Sequence, residues 1–233
     1  MNYHPILFNG EMVRAILAGT KTQTRRPITR LKGFGKITEL HVSTTPGYDW
    51  AFRDSRQLWN EITNADMLAA GPLGGPGGRL WVRERQRVIV CYIGNDGSFE
   101  IRVRYEADGA ESDWLPWPLR LKGQPVVDKC LSMGGYRESS RTTLLVKRTW
   151  IEQVRDISEE DAIAEGLIVY EGGPLSPLYD HTHRDDLGFD CPVKCFHDLW
   201  DSIYAKRGLG WKENPWVAAC EFSLIETEKA RKS

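Results

Sequence analysis

Neither an export signal nor a membrane anchor is expected from the sequence. Its N-terminus, MNYHPILFNGE, lacks a basic region leading into a long apolar stretch, and no later segment approaches the roughly 20 apolar residues that a membrane span requires. A soluble cytoplasmic protein without membrane partners is the expectation. A disulfide framework is also missing: the five cysteines are odd in number and irregular in spacing, which fits a reducing compartment. No glycine loop for a phosphate or dinucleotide is present, because the GPLGGPGG run from Gly71 to Gly78 carries prolines and no lysine. Net charge is nearly absent, −1 at pH 7, which argues against a globally basic nucleic-acid binder. Cys191, Cys195 and His197, with His181 and His183 upstream, offer zinc ligands by residue type. Their spacing is not that of a paired-cysteine knuckle, and positions i and i+2 diverge on a helix. Neither a metal nor a cofactor is expected, and no internal repeat is visible.

What the chain does hold is a local imbalance of charge. Between Met12 and Thr38 stand Arg14, Lys21, Arg25, Arg26, Arg30, Lys32 and Lys36, with no Asp or Glu among them. The run NGEMVRAILAGTKTQTRR, from Asn9 to Arg26, begins as a helix. Asn9 suits an N-cap, Glu11 puts a negative charge in the first turn, and Met12, Val13, Ile16 and Leu17 repeat at helical spacing. Gly19 can take the left-handed conformation that ends it. A dense group of hydroxyls and cations follows directly.

Elsewhere the patterns are mostly those of strands. His4–Phe8, residues 37–44, Leu80–Glu84, Val88–Val90, Phe99–Tyr105, Thr142–Val154 and Trp216–Leu224 read as strands, with a hairpin turn at Asn95-Asp96-Gly97. Leu31–Lys36 reads as a mobile loop. Ser158 through Asp161 has the form of a capping box opening a short helix that runs to Glu165 and stops at Gly166. Pro192 opens a second helix with Val193, Phe196, Leu199, Trp200 and Ile203 on one face. With 233 residues and 41% hydrophobic content the chain can bury a real core. The expectation is an α+β, mostly β fold: one domain over 1–225, a small antiparallel β-barrel with a few flanking helices and long insertions near 40–79, 107–139 and 170–190. The charged residues 226–233 form a flexible tail.

Gly19-x-Lys21-x-x-Thr24-x-Arg26 resembles the signature of ASCH domains, PUA-like β-barrels associated with RNA. Most of that family carries glutamate where Thr24 stands. The threonine variant is similar to the small bacterial N4-acetylcytidine amidohydrolases, and that resemblance implies Lys21 and Thr24 as catalytic residues. Their later strand and capped short helix are similar to Asp156–Leu167, which places the third catalytic residue at Glu165. Leu80–Glu84 and Phe196–Ile203 are similar to segments of longer ASCH proteins of phage and metagenomic origin. The match covers roughly 9–26, 80–90, 142–167 and 216–224.

Hydrolysis of an exocyclic amide on cytosine needs a nucleophile, a proton shuttle and an oxyanion donor. Thr24 and Lys21 can supply the first two, provided the lysine pKa is lowered; in the other scheme Glu165 is the base and Lys21 the oxyanion donor. Arg26 can orient a pyrimidine carbonyl or a phosphate, or bind a barrel carboxylate or a backbone carbonyl instead. Thr22 and Gln23 are candidates for contacts to the base. Trp81 is a candidate stacking residue, and Glu84 is either a second carboxylate of the cleft or the partner of a nearby arginine. The leading expectation is an amidohydrolase for N4-acylated cytosine nucleosides or bases, acting as a monomer or homodimer on a small modified cytidine. The alternatives are an RNA-binding module that uses the basic stretch from Lys21 to Lys36, and a metal-independent ribonuclease.

Overall fold

The computed structural model describes residues 3–118, 120–121, 123–131, 135–171, 177–181 and 188–227. In chain order its elements are β1 (Tyr3–Leu7), α1 (Gly10–Ala18), β2 (Gln23–Pro27), β3 (Arg30–Leu31), β4 (Gly35–Val42), β5 (Trp50–Asp54), β6 (Trp59–Ile62), α2 (Asn64–Ala70), β7 (Arg79–Arg83), β8 (Gln86–Ile93), β9 (Phe99–Tyr105), β10 (Leu115–Pro116), β11 (Thr142–Gln153), α3 (Glu159–Ala164), β12 (Ile168–Tyr170), β13 (Leu178–Asp180), α4 (Pro192–Tyr204) and β14 (Trp216–Thr227). Strands dominate, so the fold is α+β and mostly β.

A five-stranded sheet in the order β1-β7-β11-β14-β2 forms the centre. Its long axis is the antiparallel pair β11 and β14, whose register runs from Thr142↔Thr227 to Gln153↔Trp216 with bulges after Thr143 and Val146. β1 lies parallel to β7, and β2 pairs antiparallel with β14, setting Thr24 opposite Cys220. The expected closed barrel is not formed. β1 and β2 end the central sheet on opposite sides, and the remaining described strands make three further sheets, β3-β4-β5-β6, β10-β9-β8 and β12-β13.

Three apolar clusters hold these sheets together. The largest joins Ile6, Phe8, Val13, Ile16, Leu80, Val82, Leu144, Val146 and Phe222 to Trp50, Phe52, Ile62, Met67 and Leu73. The stretch near 40–79, expected as an insertion, thus supplies part of the main core through β5, β6 and α2. It was hard to read because β5 is short and α2 has only seven residues, too few for a helical period to repeat. Leu31–Lys36, expected as a mobile loop, is the tight turn between β3 and β4, and Leu31 is fully buried. The Gly71–Gly78 run is a loop, anchored to β11 by Gly77 N–H to Val146 O and Val146 N–H to Gly78 O.

A second cluster packs α4 and the α3 region on the other side of the central sheet, through Val154, Ala162, Leu167, Phe196, Trp200 and Val217. The third lies within the β8–β9 hairpin and includes Val88, Ile101, Val103, Tyr105 and Tyr136. The stretch near 170–190 contains β13, and β14 continues through Thr227, so Glu226 and Thr227, expected in the tail, belong to a strand; 228–233 lie outside the described residues. No described helix is long and apolar enough to cross a membrane.

Candidate functional site

The end of α1 aims the site. Asn9 caps the helix by accepting a hydrogen bond from the Met12 N–H, and Gly19 ends it at φ 79°. The N–H groups of Thr20 and Lys21 then both reach back to the Ala15 carbonyl, which folds the chain under the helix and drives the Lys21 side chain inward. The next residue fixes the turn between two other elements: Thr22 N–H donates to Ala164 O, and Phe222 N–H donates to Thr22 O. Lys21 is 2% exposed in consequence.

The element facing it is α3. Ser158 caps its start by accepting from the Asp161 N–H, and Glu165 is its C-cap. Gly166 follows at φ +94°, and a Cβ there would lie 2.8 Å from Lys21 Cβ and 3.1 Å from Ala15 Cβ. Only glycine fits both the backbone and the space. That close approach lets Lys21 Nζ donate to Glu165 Oε2 at 2.7 Å and to the Glu165 carbonyl at 2.5 Å. Burial pushes the lysine pKa below its usual value, and Glu165 offsets this only in part.

Arg25, buried beside the pair, fixes the carboxylate from its other side. Its guanidinium donates to Glu165 Oε1 at 3.3 Å, Asp161 Oδ2 at 2.8 Å, Glu152 Oε1 at 2.6 Å and Gln23 Oε1 at 3.1 Å. Burial opposes its charge, yet the Glu165, Glu152 and Asp161 carboxylates win and hold its pKa above normal. It also lies over the Trp150 ring at 5.6 Å.

Thr24 points the other way from β2, toward Cys220 and the main core, and is fully buried. Arg26 donates to Thr24 Oγ1 at 3.0 Å, to the Arg25 carbonyl at 3.0 Å and to the Leu7 carbonyl at 2.9 Å. The Phe8 ring lies under both cations, with Lys21 Nζ 5.5 Å and Arg26 Cζ 5.1 Å from its centroid. Cys220 sits among these groups. Burial, then Glu165, raises its thiol pKa to about 12, so it stays protonated.

Lys21 and Glu165 therefore touch, while Thr24 joins them through Arg26, the shared Phe8 ring and the strand position opposite Cys220. Gln23 is enlisted structurally: its Nε2 donates to Asp161 Oδ1 at 2.8 Å while its oxygen holds Arg25. The Thr22 side chain is exposed. Two other candidates lie elsewhere. Glu84, buried, forms a two-point pair with Arg141 at 2.8 and 2.9 Å, and Arg141 also bonds Asp108; the partner is an arginine distant in the chain and not one of its chain neighbours. Trp81 lies on the face of β7 opposite buried Leu80 and Val82, beneath the Arg83 guanidinium at 5.8 Å, because side chains alternate along a strand. Neither is brought to Lys21.

Of the cationic stretch, Lys21 and Arg25 are spent on buried carboxylates, which leaves Arg30, Lys32 and Lys36 as its exposed cations beyond Arg26. Asp161, Glu152, Arg25 and Phe8 are the site residues that sequence reasoning missed. A signal existed, since Gln23 and Arg25 on β2 and Trp150 and Glu152 on β11 repeat at the strand period of two.

Among the cysteine and histidine residues weighed for zinc, Cys195 is buried in the α4 cluster, and His197 bonds Asp201 while stacking on Trp211. His181 bonds Asp198, and His183 lies outside the described residues. Comparison with known proteins adds nothing to this geometry: no family model, no curated protein and no solved structure matches the chain.

Proposed function

We propose that the protein is an amidohydrolase that removes the acyl group from N4-acylated cytosine nucleosides or bases, giving cytidine or cytosine and a carboxylic acid. One observation carries this reading: a buried lysine with a lowered pKa, held at 2.7 Å by Glu165 in the same turn as a buried threonine hydroxyl. The resemblance of that turn to the ASCH amidohydrolases supplies the substrate class.

Roles follow from which lone pairs and protons are already committed. Both Glu165 oxygens are taken, Oε2 by Lys21 and Oε1 by Arg25, so Glu165 positions the lysine and stabilises its ammonium form. Arg26 donates to Thr24 Oγ1, which leaves the hydroxyl hydrogen to point elsewhere. Thr24 Oγ1 bonds Arg26 rather than Lys21 as the side chains stand, so this route needs the hydroxyl to approach the amine; Thr24 Oγ1 then attacks the acyl carbon as its proton passes to neutral Lys21. The tetrahedral adduct collapses, the bond to N4 breaks, and Lys21 returns the proton to the departing amine. Water cleaves the acyl-threonine ester by the same route, and Arg26, which bonds Thr24 Oγ1, is the cation offered as oxyanion donor.

Lys21 and Thr24 are buried, while Glu165 lines a cavity of about 480 Å³ beside α1, and turnover is the quantity to measure. The ultraviolet spectrum of N4-acetylcytidine with purified protein should change to that of cytidine. Thr24→Val and Lys21→Met should each slow this by roughly 10²- to 10⁴-fold. Wild-type rates in Lys21→Met, or an unchanged spectrum with several acyl groups, would end this reading.

A further inference from the structure

The outer face of the β3–β6 sheet carries a cavity that the proposed chemistry does not use. His41, Ala51 and Glu61 are opposed across three strands, and the small Ala51 side chain leaves a gap between its taller neighbours. The gap opens a cavity of about 420 Å³, walled also by Trp59 and Tyr48. The rings stand at an angle around it: His41 and Trp59 meet edge to face at 5.0 Å with 67° between their planes. Both Trp59 and Tyr48 are nearly half exposed, 49% and 46%, though such residues normally bury their rings.

The charge here is negative. Glu61 Oε1 accepts from the Ser43 hydroxyl at 2.8 Å, and hydrogen bonds from Thr45 and Ser43 keep its pKa below the usual carboxylate range. Arg53 on this face is paired with Glu39 at 3.0 Å and lies over Trp59 at 5.3 Å without lining the cavity, while Lys32 lines only the adjoining hollow, together with Asp66 and Glu61. One side of the indole thus already holds a cation. Beyond Tyr48 and Glu61, which both cavities share, a second hollow of about 470 Å³ runs to Phe34.

Three aromatic walls, an ionised carboxylate and an apolar floor form the environment that favours a soft, weakly hydrated cation over either a phosphate or a neutral ligand. We propose that this cavity binds a quaternary or polymethylated ammonium group, with the rest of that ligand extending past Tyr48 toward Phe34. A strongly hydrated primary amine gains less from the same walls.

The probe is choline, compared with 3,3-dimethylbutan-1-ol, which has its shape and no charge. The readout is the indole N–H resonance lost in Trp59→Phe. Choline should shift it saturably, and the neutral alcohol should bind roughly tenfold more weakly or worse. Glu61→Gln should weaken choline by a similar factor, and Ala51→Leu should fill the floor and abolish binding. Retention of the other indole resonances in these variants shows that they remain folded. Equal binding of the neutral alcohol, no response to choline, or a choline response unaffected by Glu61→Gln and Ala51→Leu each overturns the proposal. A saturable response to a single-stranded oligonucleotide in place of choline would give this face to nucleic acid and overturn it equally.

Discussion

Lys21 carries opposing pressures: burial favours its neutral form, while Glu165 at 2.7 Å favours the ammonium. Because burial prevails, the free amine appears at lower pH than in an ordinary lysine. If Lys21 is the base, kcat rises with pH as the ammonium loses its proton and levels off below 10.5, the value for a free side chain. Lys21→Arg, which keeps the charge but cannot deprotonate at these pH values, should lose the rate and the ascending limb together. Gly166→Ala tests the packing behind the lysine. The added methyl must meet Lys21 Cβ at 2.8 Å on a backbone at φ +94°, so a loss of about 1–3 kcal/mol in urea unfolding is expected, together with lower turnover. At this scale the sequence was partly legible. The Lys21 and Thr24 turn and the Glu165 terminus could be read because each sits beside a local punctuation mark, Gly19 or Gly166. Arg25 reads in sequence as a member of a basic run and a charge beside Lys21, not as a holder of carboxylates, because those partners come from β11 and α3, more than a hundred residues away in the chain.

Among the elements, the β8–β9 hairpin is the one with its own small core, and a polar tie joins it to the central sheet. Arg141, at the start of β11, bonds Glu84 and Asp108 and lies 4.1 Å over the Tyr105 ring. Burial works against its charge, but the two carboxylates hold its pKa above normal. Breaking one side leaves an uncompensated buried charge. Arg141→Met should therefore cost about 3 kcal/mol in chemical unfolding, and hydrogen exchange should quicken in β8 and β9 more than in β11 and β14. Equal protection in both places would show that the tie does not hold the hairpin. The hairpin itself was readable from its alternation and its Asn-Asp-Gly turn, as were the caps of α1 and α3. Strands β5 and β6 were not, since Trp50, Ala51 and Phe52 are all buried in sequence and give no two-residue period.

For the whole molecule, the distribution of charge limits one rival role. With Lys21 and Arg25 turned inward, the basic stretch exposes Arg30, Lys32 and Lys36. If RNA binds there, the slope of log K against log salt should be no steeper than about −2, as for three phosphates on a single strand; a much steeper slope would mean that another surface is engaged. The mostly β character of the fold was legible from alternation alone, whereas the separate sheets were not, because strand patterns do not state which edges meet. One such meeting joins opposite ends of the chain: Thr24 of β2 lies beside Cys220 of β14. Contacts this distant in sequence form late in folding. A nascent or refolding chain can build α1 and its lysine turn early, yet the pocket around them has no wall until the last strand arrives, so recovery of turnover should lag behind recovery of helix signal.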